Sequence, residues 1–162
     1  MEQLGYNYRI TDFQCALGLK QLERLGFFLK RRAQIVQRYQ EAFRDLGLLW
    51  QDGFGKGVRH AWHLFVVQLP LERLHRNRKE IFRALRADGI GVNLHYLPVP
   101  LQPYYQNRFG YRPGAFPVAE AYYERALTLP LFPRMTDAEV ERVIASVRSV
   151  LSENRSTVMA QT

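Results

Sequence analysis

Apolar side chains recur in the first third of the chain with the spacing of α-helices. A first helix is predicted over 11–25, because "TDFQ" at 11–14 forms a capping box and the residues after it are mostly apolar. Apolar side chains lie almost all the way round this helix, so we expect it to be buried on more than one side. After Gly26, a second helix is predicted over 27–46, with apolar residues at the i, i+3, i+4 and i+7 positions and Lys and Arg opposite.

Three short segments have the composition of β-strands. "AWHLFVVQL" at 61–69 is rich in aromatic and β-branched residues and is ended by Pro70. "IGVNLHY" at 90–96 alternates between apolar and polar positions. "LTLPLF" at 127–132 is edge-like, since a strand tolerates proline only where the missing amide faces outward. Together these segments predict a small sheet.

Helical segments separate these strands. Asn77 and Glu80 can cap a helix that ends at Gly89, and a short helix is predicted over 118–125. "TDAE" at 136–139 is a second capping box, and it opens a helix with a continuous apolar face. The proline-rich "LPVPLQPYY" is not expected to form a regular element, because prolines remove the amide donors that a ladder or a helix needs.

The order of these elements predicts an α+β fold, in which helices cover one face of a sheet of about three strands and two long helices precede it. We divide the chain into connector helices at 1–46, a small α/β domain at 47–152 and a flexible tail at 153–162. The two N-terminal helices resemble a connector between two domains, and we expect this sequence to contain one of those domains.

Composition narrows the class of protein. With 162 residues, of which 47% are hydrophobic and 13% aromatic, the chain can build one ordinary domain. No apolar run approaches the length of a membrane span, so no membrane association is expected. The single Cys15 lies in a helical pattern, where packing is a more common role than nucleophilic chemistry. Because no disulfide framework is possible, a reducing cytoplasm is the expected compartment.

The formal net charge of +8 raises the question of nucleic-acid binding. The basic residues are mostly Arg and are scattered along the chain, and the dense runs are "KRR" at 30–32 and "RNRK" at 76–79. Both runs lie in predicted helical segments, where a solvated face is the simpler explanation. No zinc-finger, RNP-type or helix-turn-helix motif accompanies them, so we expect no nucleic-acid partner.

Histidines are the first candidates for chemistry. His60 and His63 are three residues apart, and on a strand such positions point to opposite faces. A metal site would need a further ligand, and no Cys or carboxylate cluster offers one, so structural roles are favoured and no metal is expected. His95 ends a predicted strand and enters the proline-rich loop, where functional groups tend to lie. For His95, a functional and a packing role remain equally open.

The segment "GYNYR" at 5–9 is the second candidate. Asn7 and Arg9 are two positions apart, so in an extended backbone their side chains project to the same side, just before a helix N-terminus. An amide and a guanidinium beside helix amides could form an anion or phosphate site. A turn-forming Asn and a surface Arg would look the same, and spacing does not distinguish the two interpretations.

Four segments in series resemble one family of enzymes. They are "LGYNYRITDFQCALGLKQLERL", "HAWHLFVVQL", "LRADGIGVNLHYLPVPLQPYY" and "ERALTLPLFPRMTDAEVERVI". Their order and spacing resemble the C-terminal part of the DegT/DnrJ/EryC1/StrS sugar aminotransferases over about residues 4–150. Within the family, the chain looks most like the enzymes that aminate C4 of UDP-linked 4-keto-6-deoxy-N-acetylhexosamines, a branch that includes the transaminase of the pseudaminic acid pathway.

The resemblance implies a small C-terminal domain of a fold-type I transferase that depends on pyridoxal 5'-phosphate. The whole enzyme would move an amino group from glutamate to a nucleotide-linked keto sugar. The resemblance also implies a homodimer, or pairing with a chain that carries the large domain, and makes 1–46 the dimer-interface segment. Asn7 would then hydrogen-bond the phosphate of the partner subunit's cofactor, and Arg9 would face that phosphate or the sugar nucleotide. His95 and Tyr96 would lie over the substrate mouth as candidate substrate contacts.

Two departures from the family pattern affect the expected activity. Many relatives carry a His where this sequence has Pro100, which leaves the exact substrate open. The family's large domain, with the lysine that carries the cofactor, precedes the region seen here, and none of the four lysines of this chain matches that lysine. They are Lys20, Lys30, Lys56 and Lys79. Because that amine is the essential base, we expect no catalytic residue in this chain and no activity from it alone.

Three hypotheses about function follow. The chain is the C-terminal part of a sugar transaminase, whether as a truncated product, one half of a split enzyme or an excised piece. Alternatively, it is a non-catalytic module that keeps the dimer-forming helices and pairs with a full-length relative. The third hypothesis is a basic α+β domain that binds a polyanion.

Overall fold

The computed structural model describes residues 5–6, 8–52 and 57–154 and contains six α-helices and three β-strands. Along the chain these are α1 (Asp12–Glu23), α2 (Leu25–Phe43), β1 (Leu49–Trp50), β2 (Phe65–Gln68), α3 (Arg78–Ala87), α4 (Pro103–Phe109), α5 (Pro117–Arg125), β3 (Ala126–Leu129) and α6 (Asp137–Ser152). Two short 3₁₀ helices lie at Leu71–Arg73 and Val99–Leu101. The α+β fold and the sheet of three strands are confirmed.

The strands form one antiparallel sheet in the order β1-β2-β3. Phe65 pairs with Leu129, and Val66 pairs with Thr128. Because side chains alternate between the two faces of a strand, Phe65 and Leu129 share one face while Val66 and Thr128 share the other. We call these the core face and the second face of the sheet.

The hydrophobic core lies between the core face and the helices α2, α3 and α6. Alternation along β2 is clear, since Phe65 and Val67 are buried whereas Val66 and Gln68 are only partly buried. The helices contribute their apolar stripes, which are Ile35, Val36, Tyr39 and Phe43 from α2, Ile81 and Leu85 from α3, and Val140, Val143, Ile144, Val147, Val150 and Leu151 from α6. The predicted apolar faces of these three helices are therefore confirmed.

Capping boxes start three of the helices, as the sequence predicts. At α1, the Thr11 amide donates to Gln14 Oε1 at 2.9 Å, and the Gln14 amide donates to Thr11 Oγ1 at 3.3 Å. Asn77 opens α3 and Thr136 opens α6 with the same reciprocal pair of hydrogen bonds. Each box satisfies helix amides that have no partner within the helix.

Arginines connect α2 to α6 on the solvent side of the core. Asp137, in the first turn of α6, lies 2.8 Å from Nη2 of Arg31 and 2.7 Å from Nη1 of Arg38. The hydrogen bond from Arg31, together with the nearby charge of Arg38, lowers the pKa of the Asp137 carboxyl. Further along, Arg148 of α6 forms a bidentate pair with Asp45, at 2.7 and 2.9 Å. The two helices are thus joined at both ends of their contact.

Four local predictions need correction. The break between the first two helices falls at Arg24 and not at Gly26, which lies inside α2. The strand predicted over 61–69 is regular only at Phe65–Gln68. The segment 90–96 forms a single bridge, between Asn93 and Thr128, and no regular strand. The proline-rich segment is partly helical.

The two strand corrections have a common cause, because side chains occupy backbone groups that a strand ladder would use. His60 Nδ1 accepts from the Trp62 amide at 3.0 Å, and Trp62 has a left-handed backbone with φ of 49°. Asn93 Oδ1 accepts from the Leu94 amide at 2.8 Å and ends the pairing there. In the proline-rich segment, Pro103 stands at the first helical position, where its missing amide costs nothing, and α4 begins at that residue.

Two parts of the predicted division of the chain can be compared with the structure, which are the loop after position 51 and the tail. Residues 53–56, in the loop expected after position 51, lie outside the described residues. Within the predicted tail, Asn154 is buried and its carbonyl accepts from the His75 amide at 2.9 Å. The rest of that tail, 155–162, lies outside the described residues. Packing therefore continues to residue 154.

Helix α1 contributes no buried residue, although its pattern predicts burial on more than one side. It packs against the start of α2, and large apolar side chains along both helices are exposed. These are Phe13, Leu17, Leu19, Leu22, Leu25 and Phe27. We call this set the apolar arm. The arm is therefore an apolar surface that no other part of the described chain covers.

We expect the isolated chain to self-associate through the apolar arm, because contiguous exposed apolar surface of this kind drives association. Leu22→Arg should reduce the apparent mass, since Leu22 is 65% exposed and lies within the arm. Light scattering at chain concentrations across the micromolar range measures the apparent mass. Gln21→Arg is the matched control, because it adds the same charge at the neighbouring exposed position and should leave the mass unchanged. A monomeric wild-type chain at all concentrations would contradict this expectation.

Candidate functional site

The second face of the sheet carries the polar groups that the sequence singles out around His95. Asn93 and Thr128 exchange two backbone hydrogen bonds, of 3.1 and 2.9 Å, which fix the segment beside β3. His95 Nδ1 then lies 2.9 Å from the hydroxyl of Thr128, whose side chain is buried. Because Thr128 is on the second face, the His95 ring is held on that face and away from the hydrophobic core.

Tyr96 follows directly and is presented to solvent. Its side chain is 72% exposed, and its ring lies edge-on to the His95 ring at 4.7 Å between centroids. The two candidate substrate contacts are therefore adjacent, with one imidazole anchored to the sheet and one phenol projecting from it. A pair of this kind can orient a polar ligand by hydrogen bonds from one side.

A cavity of about 430 Å³ lies at the β1–β2 side of the sheet. Its lining combines residues of both faces of the sheet with Tyr122 of α5. The lining residues are Trp50, Gln51, Trp62, Phe65, Val66, Gln68 and Tyr122. The volume of this cavity is in the range of small-molecule sites.

Arg32 fixes the loops at one end of the sheet. Its Nη1 donates to the carbonyls of Trp62, His63 and Leu131 at 2.9, 3.0 and 3.0 Å. Burial lowers the pKa of the Arg32 guanidinium, because the charged form loses water. The three carbonyls replace part of that water. The segment before β2 and the segment after β3 are thus held by one side chain of α2.

Neither His60 nor His63 lies on a strand, in contrast to the sequence prediction. The His60 ring lies 4.2 Å from the Trp62 ring between centroids, which is a structural contact. His63 contributes its backbone carbonyl to the Arg32 cluster, and its side chain is exposed. Within 5–6, 8–52 and 57–154, no group of three His, Cys, Asp or Glu side chains could hold a metal ion. No helix in that part of the chain is long and apolar enough to cross a bilayer.

The segment before α1 holds the other half of the predicted site. Arg9 is exposed, two residues before the capping threonine, and Asn7 lies outside the described residues. The capping box uses the Gln14 amide, so this helix end presents fewer unpaired donors than an uncapped one. Arg9 belongs to the arm that starts the chain, whereas His95 and Tyr96 belong to the sheet. The structure joins His95 to Tyr96 and places Arg9 on a separate element.

Sequence reasoning missed an aromatic cluster on and after α4. Tyr105, Phe109, Tyr111 and Phe116 follow one another with ring centroids 6.1, 5.6 and 5.0 Å apart. The signals were present, because Pro103 suits a first helical position and Gly110 ends the helix with a φ of 71°. This cluster immediately follows the 3₁₀ helix after Tyr96, so it extends the apolar surroundings of the predicted substrate loop.

Comparison with solved structures identifies the class of protein. The chain superposes with a TM-score of 0.81 on the PLP form of a candidate sugar aminotransferase from Streptococcus pneumoniae, at 32% identity over 90% of this chain and 36% of that one. It superposes with a TM-score of 0.83 on Helicobacter pylori PseC, an aminotransferase involved in the biosynthesis of pseudoaminic acid, at 25% identity over 94% of this chain and 40% of that one. The fold is that of the corresponding region of aminotransferases that use pyridoxal phosphate.

The sequence comparison gives the family. The model of the DegT/DnrJ/EryC1/StrS aminotransferase family matches residues 1–148, and the chain belongs to that family. SpsC of Bacillus subtilis, a spore coat polysaccharide biosynthesis protein, is 44% identical over 152 residues, which are 93% of this chain and 39% of SpsC. The chain spans about two fifths of the length of the curated relatives it matches. The family resemblance is thereby confirmed.

Proposed function

We propose that this chain provides the small domain of a cytoplasmic aminotransferase that moves an amino group from glutamate to a nucleotide-linked 4-keto-6-deoxy sugar. The observation that carries the proposal is the family match over residues 1–148. The relatives named above support the substrate class, since one serves polysaccharide biosynthesis and another the biosynthesis of pseudoaminic acid. The polar and aromatic second face of the sheet supports a ligand on that side of the domain.

Within this proposal, Asn7 and Arg9 bind the phosphate of the cofactor held by a partner subunit. A guanidinium and an amide are suitable donors for a phosphate, and the exposed position of Arg9 at the start of the arm lets it reach another subunit. When bound, pyridoxal phosphate supplies an electron sink for the carbon that exchanges its amino group. The exposed apolar arm is the dimer interface, and it places Arg9 at the partner's site.

His95 and Tyr96 orient the sugar substrate. Because Nδ1 of His95 is held 2.9 Å from the Thr128 hydroxyl, the opposite nitrogen, Nε2, is the atom that His95 offers to a substrate. The Tyr96 hydroxyl adds a second hydrogen-bonding group beside it. In this arrangement the chain binds and positions, and the reacting amine belongs to the cofactor site.

The described lysines do not suit the role of the cofactor lysine. Lys20 is paired with Glu23 at 2.9 Å on the exposed side of α1. Lys30 and Lys79 are exposed on helices, and Lys56 lies outside the described residues. A lysine that carries the cofactor works in a desolvated site that lowers its pKa. We therefore propose that this lysine is in a segment corresponding to the rest of the relatives' length.

Activity should depend on that segment. The chain alone should show neither a visible cofactor band nor glutamate-dependent transamination of a UDP-linked keto sugar, because none of its described lysines suits that role. A chimera in which this chain replaces the corresponding part of SpsC should show both. Absorbance with pyridoxal phosphate and formation of 2-oxoglutarate measure the two properties. The same chimera with the cofactor lysine of its SpsC part substituted is the control.

Two results would contradict the proposal. One is turnover by the chain alone, together with a borohydride-reducible adduct at one of its four lysines. The other is a folded, dimeric chimera that binds the cofactor and fails to use any nucleotide-linked keto sugar. That second result would favour the non-catalytic interaction module, which the exposed apolar arm also supports.

A further inference from the structure

A cleft of about 380 Å³ lies between α3 and α5, apart from the residues assigned above. Its lining consists of Arg78, Lys79, Phe82, Arg83, Leu94 and Tyr123. We call it the basic cleft. Three of its six side chains are cationic, and the other three are aromatic or aliphatic. This combination differs from an ordinary solvated helix face, which presents charges without an apolar wall between them.

The charge of the basic cleft is not balanced by its own helix. Helix α3 contains four cations and one carboxylate, that of Glu80. Glu80 Oε2 accepts from the Asn77 amide at 2.9 Å as part of the capping box, so this carboxylate is directed back to the start of α3. The cleft also lies at the end of α3 where the helix dipole is positive. An anion is therefore the expected ligand.

The side chains of the cleft are held in place by contacts with α5. Arg78 Nε donates to the Glu124 carbonyl at 3.2 Å, and its guanidinium carbon lies 4.7 Å from the centre of the Tyr123 ring. This arrangement leaves the Nη groups of Arg78 to donate to a ligand. Phe82 is partly buried and packs against the core, which makes it a fixed wall. Less side-chain entropy is lost on binding when the contacts exist beforehand.

We propose that the basic cleft binds a mononucleotide, with its phosphates at Lys79 and Arg83 and its base against the wall of Phe82, Leu94 and Tyr123. A cleft of this volume holds one nucleotide and not an extended strand. Bases gain affinity from aromatic surfaces and phosphates from paired cations. Leu94 directly precedes His95, so an occupied cleft lies next to the loop that we assign to the sugar substrate. The site is independent of that assignment.

Calorimetric titration of the chain with UDP and with pyrophosphate tests the proposal. Arg83→Gln and Lys79→Gln should each weaken UDP binding by about tenfold, because each removes a charge-assisted hydrogen bond. Tyr123→Leu should weaken UDP about fivefold and leave pyrophosphate unchanged, since it removes only the base contact. Arg44→Gln, at an exposed arginine after α2, is the control and should leave UDP affinity unchanged. Arg9→Gln is measured beside it to distinguish the basic cleft from the site proposed at Arg9.

Several outcomes would overturn the mononucleotide site. The proposal would be contradicted if UDP binding were undetectable, or if Arg83→Gln and Lys79→Gln left UDP affinity unchanged. An equal loss of UDP affinity in Arg44→Gln would show that binding depends on diffuse surface charge. A loss of UDP affinity confined to Arg9→Gln would assign UDP to the site proposed at Arg9. Equal affinity for UDP and pyrophosphate would reduce the cleft to an anion patch. Tighter binding of a single-stranded oligonucleotide with a steep salt dependence would indicate a polyanion surface.

Discussion

Replacing Phe43 by Ala should lower the free energy of unfolding of the domain by about 3–5 kcal/mol. Phe43 is fully buried at the end of α2, and its ring stacks on Tyr39 with 5.6 Å between centroids. Tyr39 in turn contacts Phe65 of the sheet, so the three rings join the longest helix to the central strand. Removing the Phe43 ring from one end of this stack leaves a cavity in the core that its fixed neighbours cannot close. Urea-induced unfolding at a fixed chain concentration measures the effect.

Phe132→Ala is the matched control for this prediction. Phe132 lies in the loop after β3, and its ring is 45% exposed. Since about half of its surface is already in water, its loss should cost about 1 kcal/mol. Equal effects of the two substitutions would contradict the central role of Phe43. A loss below about 1 kcal/mol at Phe43 would also contradict it, because the site would then have collapsed without a cavity.

In the SpsC chimera, Asn7→Ala should weaken binding of pyridoxal phosphate by about one to two orders of magnitude. The proposed contact is a hydrogen bond to a charged phosphate, worth about 1.5–3 kcal/mol, and each 1.4 kcal/mol is about tenfold in affinity. Arg9→Ala should weaken the cofactor or the sugar nucleotide. Its effect should be smaller at high ionic strength, because salt screens an exposed guanidinium. A cofactor titration of each variant measures both affinities.

Folding should be unaffected by either substitution, since both residues precede α1 and Arg9 is exposed. A thermal melt in saturating cofactor checks this, and Arg44→Ala serves as a control for the loss of one positive charge. Unchanged cofactor affinity in both variants would favour the alternative, in which Asn7 is a turn residue and Arg9 a surface charge. That result would remove the phosphate assignment without affecting the family membership.

Local signals predicted the helices well. The capping boxes at Thr11, Asn77 and Thr136 need only residues three positions apart, and all three helices start where the boxes indicate. The apolar stripes of α2 and α6 follow from a regular spacing along one element. Such features depend on short stretches of chain, so they can be recognised without knowing which elements meet in space.

Strands were harder to predict, because pairing partners define them. β1 is only Leu49–Trp50 and has no alternation to detect, yet it pairs with Val67 and Gln68. The segment around Asn93 has the alternation of a strand but pairs at one position only. In both cases the distant partner, and not the local pattern, decides the structure. The predicted end of β2 at Pro70 was close, because proline acts locally.

The candidate site also combines features that the local sequence predicts with features that depend on distant residues. His95 was recognised from its place at the end of a predicted strand, but its anchor, the Thr128 hydroxyl, is 33 residues away in sequence and could not be inferred. The Arg32 cluster was missed for the same reason, since its carbonyls come from two distant loops. The burial of α1 was predicted and is not observed, because a pattern records that a face is apolar and not which chain covers it.

The helix break at Arg24 separates two helices that are held in different ways. On the C-terminal side of Arg24, hydrogen bonds and ion pairs attach α2 to the domain, through Arg32 to the loops of the sheet and through Arg31 and Arg38 to α6. On the N-terminal side, α1 has no buried residue. The direction of α1 is therefore set by the backbone at Arg24 and by its contact with the start of α2, and the hydrophobic core does not fix it.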